Sequence, residues 1–133
     1  MLAKIDAATV IIGPVRAGTV TTDTVPALRQ VTRTPASAVY VAWDVRGRCR
    51  YVGSVRRPQS RAAVRDRLGE HLADGDQRKA GWYALTVIPL RRDLDVAAVR
   101  LCEGWIAYRL NPSDGSAHPV IAPGRSPSVV FAA

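Results

Sequence analysis

The sequence predicts an α+β fold, a small three-stranded antiparallel sheet flanked by helices, with a short N-terminal extension. Two observations carry this. Runs rich in strand formers, residues 38–43 and 49–52, flank the turn sequence Asp44-Val45-Arg46-Gly47-Arg48. A helical pattern, a third apolar run and a second helical pattern then follow in that order.

Each element has a local reason. Residues 7–12, rich in Ala, Val and Ile, read as a short strand closed by Gly13-Pro14. Residues 13–19 superficially resemble a phosphate-binding loop, but Thr19 stands where the lysine should be, so they read as a connection. Residues 23–32 suit a short helix capped by Asp23 or Thr24, with Pro26 in its first turn. Thr34-Pro35-Ala36-Ser37 reads as a linker. Residues 38–43 and 49–52 form a hairpin around Gly47, and the second strand is expected to stop at Gly53. Ser60 can cap a helix reaching Leu72, with Val64, Leu68 and Leu72 on one stripe. Residues 74–81 form a polar loop. Residues 82–90 are apolar on both faces, as in a buried strand. Asp93 or Asp95 caps a second long helix that Asn111-Pro112 ends near Leu110. The chain thus divides into an extension (1–36), a main body (37–116) and a tail (117–133) containing proline and glycine.

Composition narrows the function. The chain has 133 residues and a formal charge of +8, with 17 arginines among its 19 basic residues. Such a surface favours a polyanionic partner. No apolar run reaches the length of a membrane span, about 18 residues, so no membrane role is expected. Residues 1–12 are too short and wrongly charged for a signal peptide. Cys49 and Cys102 form no CxxC pair, which suits free thiols in a reducing, cytoplasmic setting. With His71 and His118 they lack any zinc-finger spacing.

Three features carry chemistry. Glu103 is one of only two glutamates, and Val99, Glu103, Ile106 and Leu110 fall within roughly 60° on the second long helix at about 100° per residue. A carboxylate on an apolar stripe needs a compensating cation, either an arginine or a hard metal ion. The alternative is that Leu101, Trp105 and Tyr108 form the inner face and Glu103 meets water. Eight arginines lie between Arg46 and Arg67, Arg56, Arg57 and Arg61 among them, with Asp66 as the single acid. They read as a phosphate-binding surface or as a solvated basic face. Arg67 and His71 share a helix face beside Val64 and Leu68.

The same residues stand in an order that resembles the GIY-YIG nuclease superfamily. Val39-Tyr40, ten residues, then Tyr51-Val52-Gly53-Ser54 resembles the paired signature. Arg67-Leu68-Gly69-Glu70-His71 resembles the stretch on the family's first helix. Leu101-Cys102-Glu103, with Tyr108-Arg109-Leu110-Asn111-Pro112, resembles its glutamate helix and the Asn-Pro that closes it. The likeness covers about residues 38–115 and implies a DNA endonuclease that uses one divalent metal, Mg²⁺ or Mn²⁺. It implies that Glu103 binds the metal and that Tyr40 and Tyr51 line the site, one of them orienting or deprotonating water. Arg67 would grip the scissile phosphate, and His71 would assist as hydrogen-bond partner or proton relay. Neighbouring Arg⁺ and a metal ion would lower a tyrosine pKa. Gly53 would permit close approach, with Ser54, Arg56, Arg57, Arg61 and Asn111 touching substrate. The sequence departs from the pattern in three places. Ala38 replaces the first glycine, Arg61 competes with Arg67 by spacing, and an asparagine just past Pro112 is missing, leaving Asn111 or Asp114 to stand in.

The expected activity is therefore metal-dependent hydrolysis of phosphodiester bonds in DNA; the charge alone does not separate DNA from RNA. Two alternatives stay open at this point. One is a nucleic-acid-binding module of the same fold with weakened catalysis, and the other is an enzyme acting on a small anionic metabolite.

Overall fold

The computed structural model describes residues 2–73 and 79–114. The elements, in chain order, are α1 (Leu2–Ile11), β1 (Thr21–Thr24), α2 (Val25–Gln30), β2 (Ser37–Trp43), β3 (Cys49–Arg56), α3 (Ala63–Ala73), β4 (Ala84–Pro89) and α4 (Val96–Leu110). The fold is α+β, with an antiparallel four-stranded sheet in the order β1-β4-β2-β3. The expected hairpin and third strand are β2, β3 and β4. The fourth strand comes from the N-terminal segment, where Thr21–Thr24 pairs with β4.

Two expectations are corrected. Residues 7–12 are not a strand but the end of α1. Ile5, Ala8 and Ile12 are buried at helical spacing, and α1 packs on α4. The tertiary contact overrides the strand preference of Val10, Ile11 and Ile12. The second hairpin strand does not stop at Gly53 but runs on to Arg56, paired with β2 throughout.

The hairpin turn is built as its sequence suggests. One Asp44 carboxylate oxygen accepts the backbone N–H groups of Arg46 and Arg48, both at 2.9 Å. Gly47 takes φ 77°, a left-handed conformation that costs glycine little. The β2–β3 register then sets Tyr40 directly across from Gly53 and Ala42 across from Tyr51.

β2 is buried on both faces, so its alternate residues belong to two cores. Val39, Val41 and Trp43 pack with α1 and α4, while Ala38, Tyr40 and Ala42 pack with α2 and α3. The helices are fixed by their caps. Thr24 caps α2, and Asp95 caps α4 by accepting from Ala98 N at 2.8 Å. Ser60 accepts from Ala62 N, but the first turn of α3 is closed by Thr34 from the linker, which accepts from Val64 N at 3.0 Å. Asn111, at φ 50°, ends α4. The connection at 13–19 holds a single 3₁₀ turn, Gly13–Val15, and leads into β1. The polar loop falls partly outside the described residues, as does the tail from residue 115, His118 included.

Candidate functional site

Tyr40 is the centre of a side-chain cluster on the α3 side of the sheet. It is 2% exposed, and its hydroxyl lies 2.7 Å from His71 Nε2. His71 reaches it from α3, buried beside Leu68 and Val64. The Arg67 guanidinium, one turn earlier on α3, lies close enough to the phenol for its charge to act on it. Whether the phenol or His71 Nε2 donates follows the imidazole tautomer.

Tyr51 stacks beside Tyr40, with ring centroids 6.2 Å apart, and meets the His71 ring at 5.2 Å. Trp82 closes the group, 5.1 Å from Tyr51 and 5.3 Å from His71. Its indole N–H donates to Asp114, which also takes the Arg50 guanidinium at 3.1 Å. Gly53 is the reason two phenols fit here. A Cβ on it would stand 2.6 Å from the Tyr40 ring carbon and hydroxyl and 2.8 Å from Tyr51. Only a hydrogen fits beneath the rings.

Glu103 approaches from the other face. It is 8% exposed on α4, between Val99 and Ile106, so the stripe that carries it is an inward face. Trp105 is buried as well, whereas Tyr108 is exposed, so the alternative with Glu103 in water is set aside. The Ser54 hydroxyl donates to Glu103 at 2.6 Å. Ser54 follows Gly53 on edge strand β3, so the carboxylate and the phenols meet across that strand. They are close enough for the Glu103 charge to act on Tyr40.

Burial pushes the Tyr40 phenol well above its ordinary value, and the Tyr51 and Glu103 charges push the same way, outweighing the Arg67 guanidinium. Glu70, which the sequence did not single out, fastens the arginines. It pairs with Arg57 at 2.6 Å and with Arg67 at 3.2 Å. The hydrogen bonds from Arg57, and then from Arg67, lower its carboxyl to about 2. The i, i+3 spacing from Arg67 to Glu70 was the available signal. Trp82 gave no such signal, because its approach depends on the chain beyond α3.

Other expected substrate-binding residues are placed differently. Arg56 donates to the Leu94 carbonyl. Arg61 lies in a separate groove with Arg33 and Arg92, and the cluster takes Arg67 instead. Asn111 and Asp114 line one surface pocket with Lys4 and Arg48, and Asp114 also accepts from the Trp82 indole of the cluster. The run of eight arginines is largely partnered: Arg48 with Asp44, Arg50 with Asp114, Arg57 and Arg67 with Glu70, and Arg65 with Asp66.

Among the described residues no three metal-ligating side chains converge. A protein cage for a metal is therefore not what Glu103 belongs to. A buried carboxylate already accepting one hydroxyl does suit a hard cation that keeps water and takes substrate oxygens. Burial raises both thiols, Cys49 and Cys102, to about 12. No described helix is long and apolar enough to cross a membrane. The chain matches no family model, no curated protein and no solved structure.

Proposed function

We propose that this protein is a metal-dependent endonuclease of GIY-YIG type that hydrolyses phosphodiester bonds in DNA. The observation carrying the reading is the meeting of Glu103 with the Tyr40–Tyr51–His71–Arg67 cluster across Gly53 and Ser54.

Hydrolysis of a phosphodiester needs charge neutralised at phosphorus, a positioned water and a stabilised leaving oxygen. Arg67 offers charge-assisted donors to the non-bridging oxygens, and Glu70 holds it beside Tyr40. Tyr40 is hydrogen-bonded to the His71 ring. Tyr51 is half-buried and stacked on Trp82, so it presents a rigid phenol for orienting water. Ser54 fixes the Glu103 carboxylate, which would hold a divalent ion such as Mg²⁺ or Mn²⁺. That ion supplies Lewis-acid neutralisation of the developing oxyanion when bound.

A second reading is a DNA-binding module with weak or no turnover. It draws on the raised Tyr40 phenol and on the position of Asn111, away from the cluster.

Supercoiled plasmid with Mg²⁺ or Mn²⁺ separates the two. The native protein is expected to nick, and Glu103→Gln to nick at least about a hundredfold more slowly, as loss of one transition-state contact does. Glutamine is isosteric and still accepts from Ser54, so the fold survives. Equal nicking by both proteins would overturn the role of Glu103. Salt-sensitive binding without nicking would establish the second reading.

A further inference from the structure

A second basic feature lies apart from the phenol cluster. A groove of about 680 Å³ is lined by Arg33, Arg61 and Arg92, with Thr34, Pro58 and Ser60 among its walls, and by no carboxylate. The three arginines come from three separate stretches: the segment after α2, the loop between β3 and α3, and the segment after β4. All three are exposed. Among the described residues, the side chains of Arg33 and Arg61 make no hydrogen bond or ion pair, and Arg92 donates only to the Pro58 carbonyl. This contrasts with Arg48, Arg50, Arg57, Arg65 and Arg67, whose charges are met by carboxylates. Three guanidinium groups with no carboxylate partner among the described residues thus share one concave place.

The groove shares a loop with one of the arginines that Glu70 holds. Arg57, held by Glu70 next to Arg67, directly precedes Pro58 on the groove wall. The backbone ties this loop to the N-terminal segment, with Arg57 N donating to Ala36 O at 2.7 Å and Thr34 N to Arg61 O at 2.8 Å.

We infer that the Arg33–Arg61–Arg92 groove is a second contact for the phosphate backbone of DNA, built jointly by the N-terminal segment and the main body. The inference rests on the nuclease reading for its choice of DNA. It assigns residues 33–36 a binding role and gives Arg61 a place outside the reacting centre. Guanidinium groups without internal partners, open to solvent and concave in arrangement, suit successive phosphates, whose counterions are released on binding.

The test is fluorescence anisotropy of the full chain with a labelled duplex across a salt series, using Arg33→Ala/Arg61→Ala and Arg33→Lys/Arg61→Lys. Both positions are exposed, and thermal unfolding by circular dichroism checks that each variant is folded. Loss of two phosphate contacts is expected to flatten the slope of log K against log salt by about 1.8, with weaker binding, while the lysine variant keeps the native slope. An unchanged slope in the folded alanine variant would overturn the groove. Inorganic phosphate is expected to compete with the duplex only as strongly as its ionic strength dictates. Stronger competition would make the groove a free-anion pocket and overturn the backbone reading.

The two readings fail separately. If neither the native protein nor Glu103→Gln nicks while the alanine variant loses slope, the nuclease reading falls and the groove stands. If the native protein nicks, Glu103→Gln is inert and the alanine slope is native, the reverse holds.

Discussion

Replacing Gly53 by alanine measures how tightly the phenol cluster is built. The new Cβ would sit 2.6 Å from Tyr40 and 2.8 Å from Tyr51, well inside contact distance. Neither ring can yield cheaply. Tyr40 is 2% exposed and hydrogen-bonded to His71, and Tyr51 is stacked against Trp82. Gly53 does not have a positive φ, so the clash is purely steric. Overpacking of this kind costs about 1–3 kcal/mol. Alanine returns about 0.4–1 kcal/mol by stiffening the unfolded chain, which leaves a net loss. With an unfolding entropy near 2.1 cal/mol/K per residue, each kcal/mol moves Tm by about 3.6 °C in a chain of 133 residues. Gly53→Ala should therefore melt up to about 9 °C below the native protein and, on the proposed function, nick more slowly, because the Tyr40 ring must shift. Gly69→Ala is the internal control. Gly69 lies within α3 with open space where a Cβ would go. Removing a helical glycine there should raise stability by about 0.8–1 kcal/mol, near 3 °C in Tm. Calorimetry or circular dichroism on the two variants decides the matter. A Gly53→Ala protein as stable as the Gly69→Ala protein would refute the close packing of the phenols.

Glu70→Gln tests the arginine clamp. The Glu70 carboxyl is lowered in the folded state, so its contribution to stability is full above its unfolded pKa and disappears as pH falls through about 2. The native protein should be more stable than the variant at neutral pH, with the gap closing in that acid window; a gap independent of pH would count against the pairing. Carboxyl NMR should find the Glu70 midpoint near 2. Cys102, buried with its thiol raised to about 12, should not react with Ellman's reagent at pH 8 until the protein is unfolded, and half-buried Cys49 should react more slowly than a free thiol. Two rapidly labelled thiols in the native protein would contradict the burial of Cys102. Asp95→Ala removes the α4 cap and should cost about 1 kcal/mol in urea unfolding, with no change in m-value.

What the sequence revealed depended on how locally the cause acted. The hairpin was legible because Asp44, Gly47 and the runs beside them are consecutive, but the register of Tyr40 on Gly53 was not, because the pairing shifts by one residue between Ala42 and Trp43. The placement of Glu103 was legible because helical periodicity fixes a face. α1 was misread because a six-residue window ending in Val-Ile-Ile looks extended; Ile5, outside that window, completes the helical spacing with Ala8 and Ile12. β1 carried no alternating pattern, since Thr21–Thr24 is a polar edge strand whose side chains are exposed or half-buried. The choice of Arg67 over Arg61 required the long loop after β3 to be closed in space. The direction of the Tyr40 shift required knowing that burial outweighs a neighbouring guanidinium. Among the site residues, spacing thus supplied the types and faces, and packing supplied the direction of the shift.

The sheet's outer edges explain where a substrate can reach this centre. β1 occupies the free edge of β4, which leaves β3 as the edge beside the phenols. The chain after α4 then covers the start of that edge: Ser113 N donates to Cys49 O at 3.1 Å and Asp114 N to Arg50 O at 2.6 Å. The remainder of β3 carries Tyr51, Gly53, Ser54 and Arg56 in sequence. Side chains from both faces of a sheet can act on one group only at such an edge, because within the sheet the flanking strands would stand between them. Glu103 and Arg67 come from opposite faces, so on the proposed function the part of β3 that no other described residue pairs with is where a single phosphate would meet both.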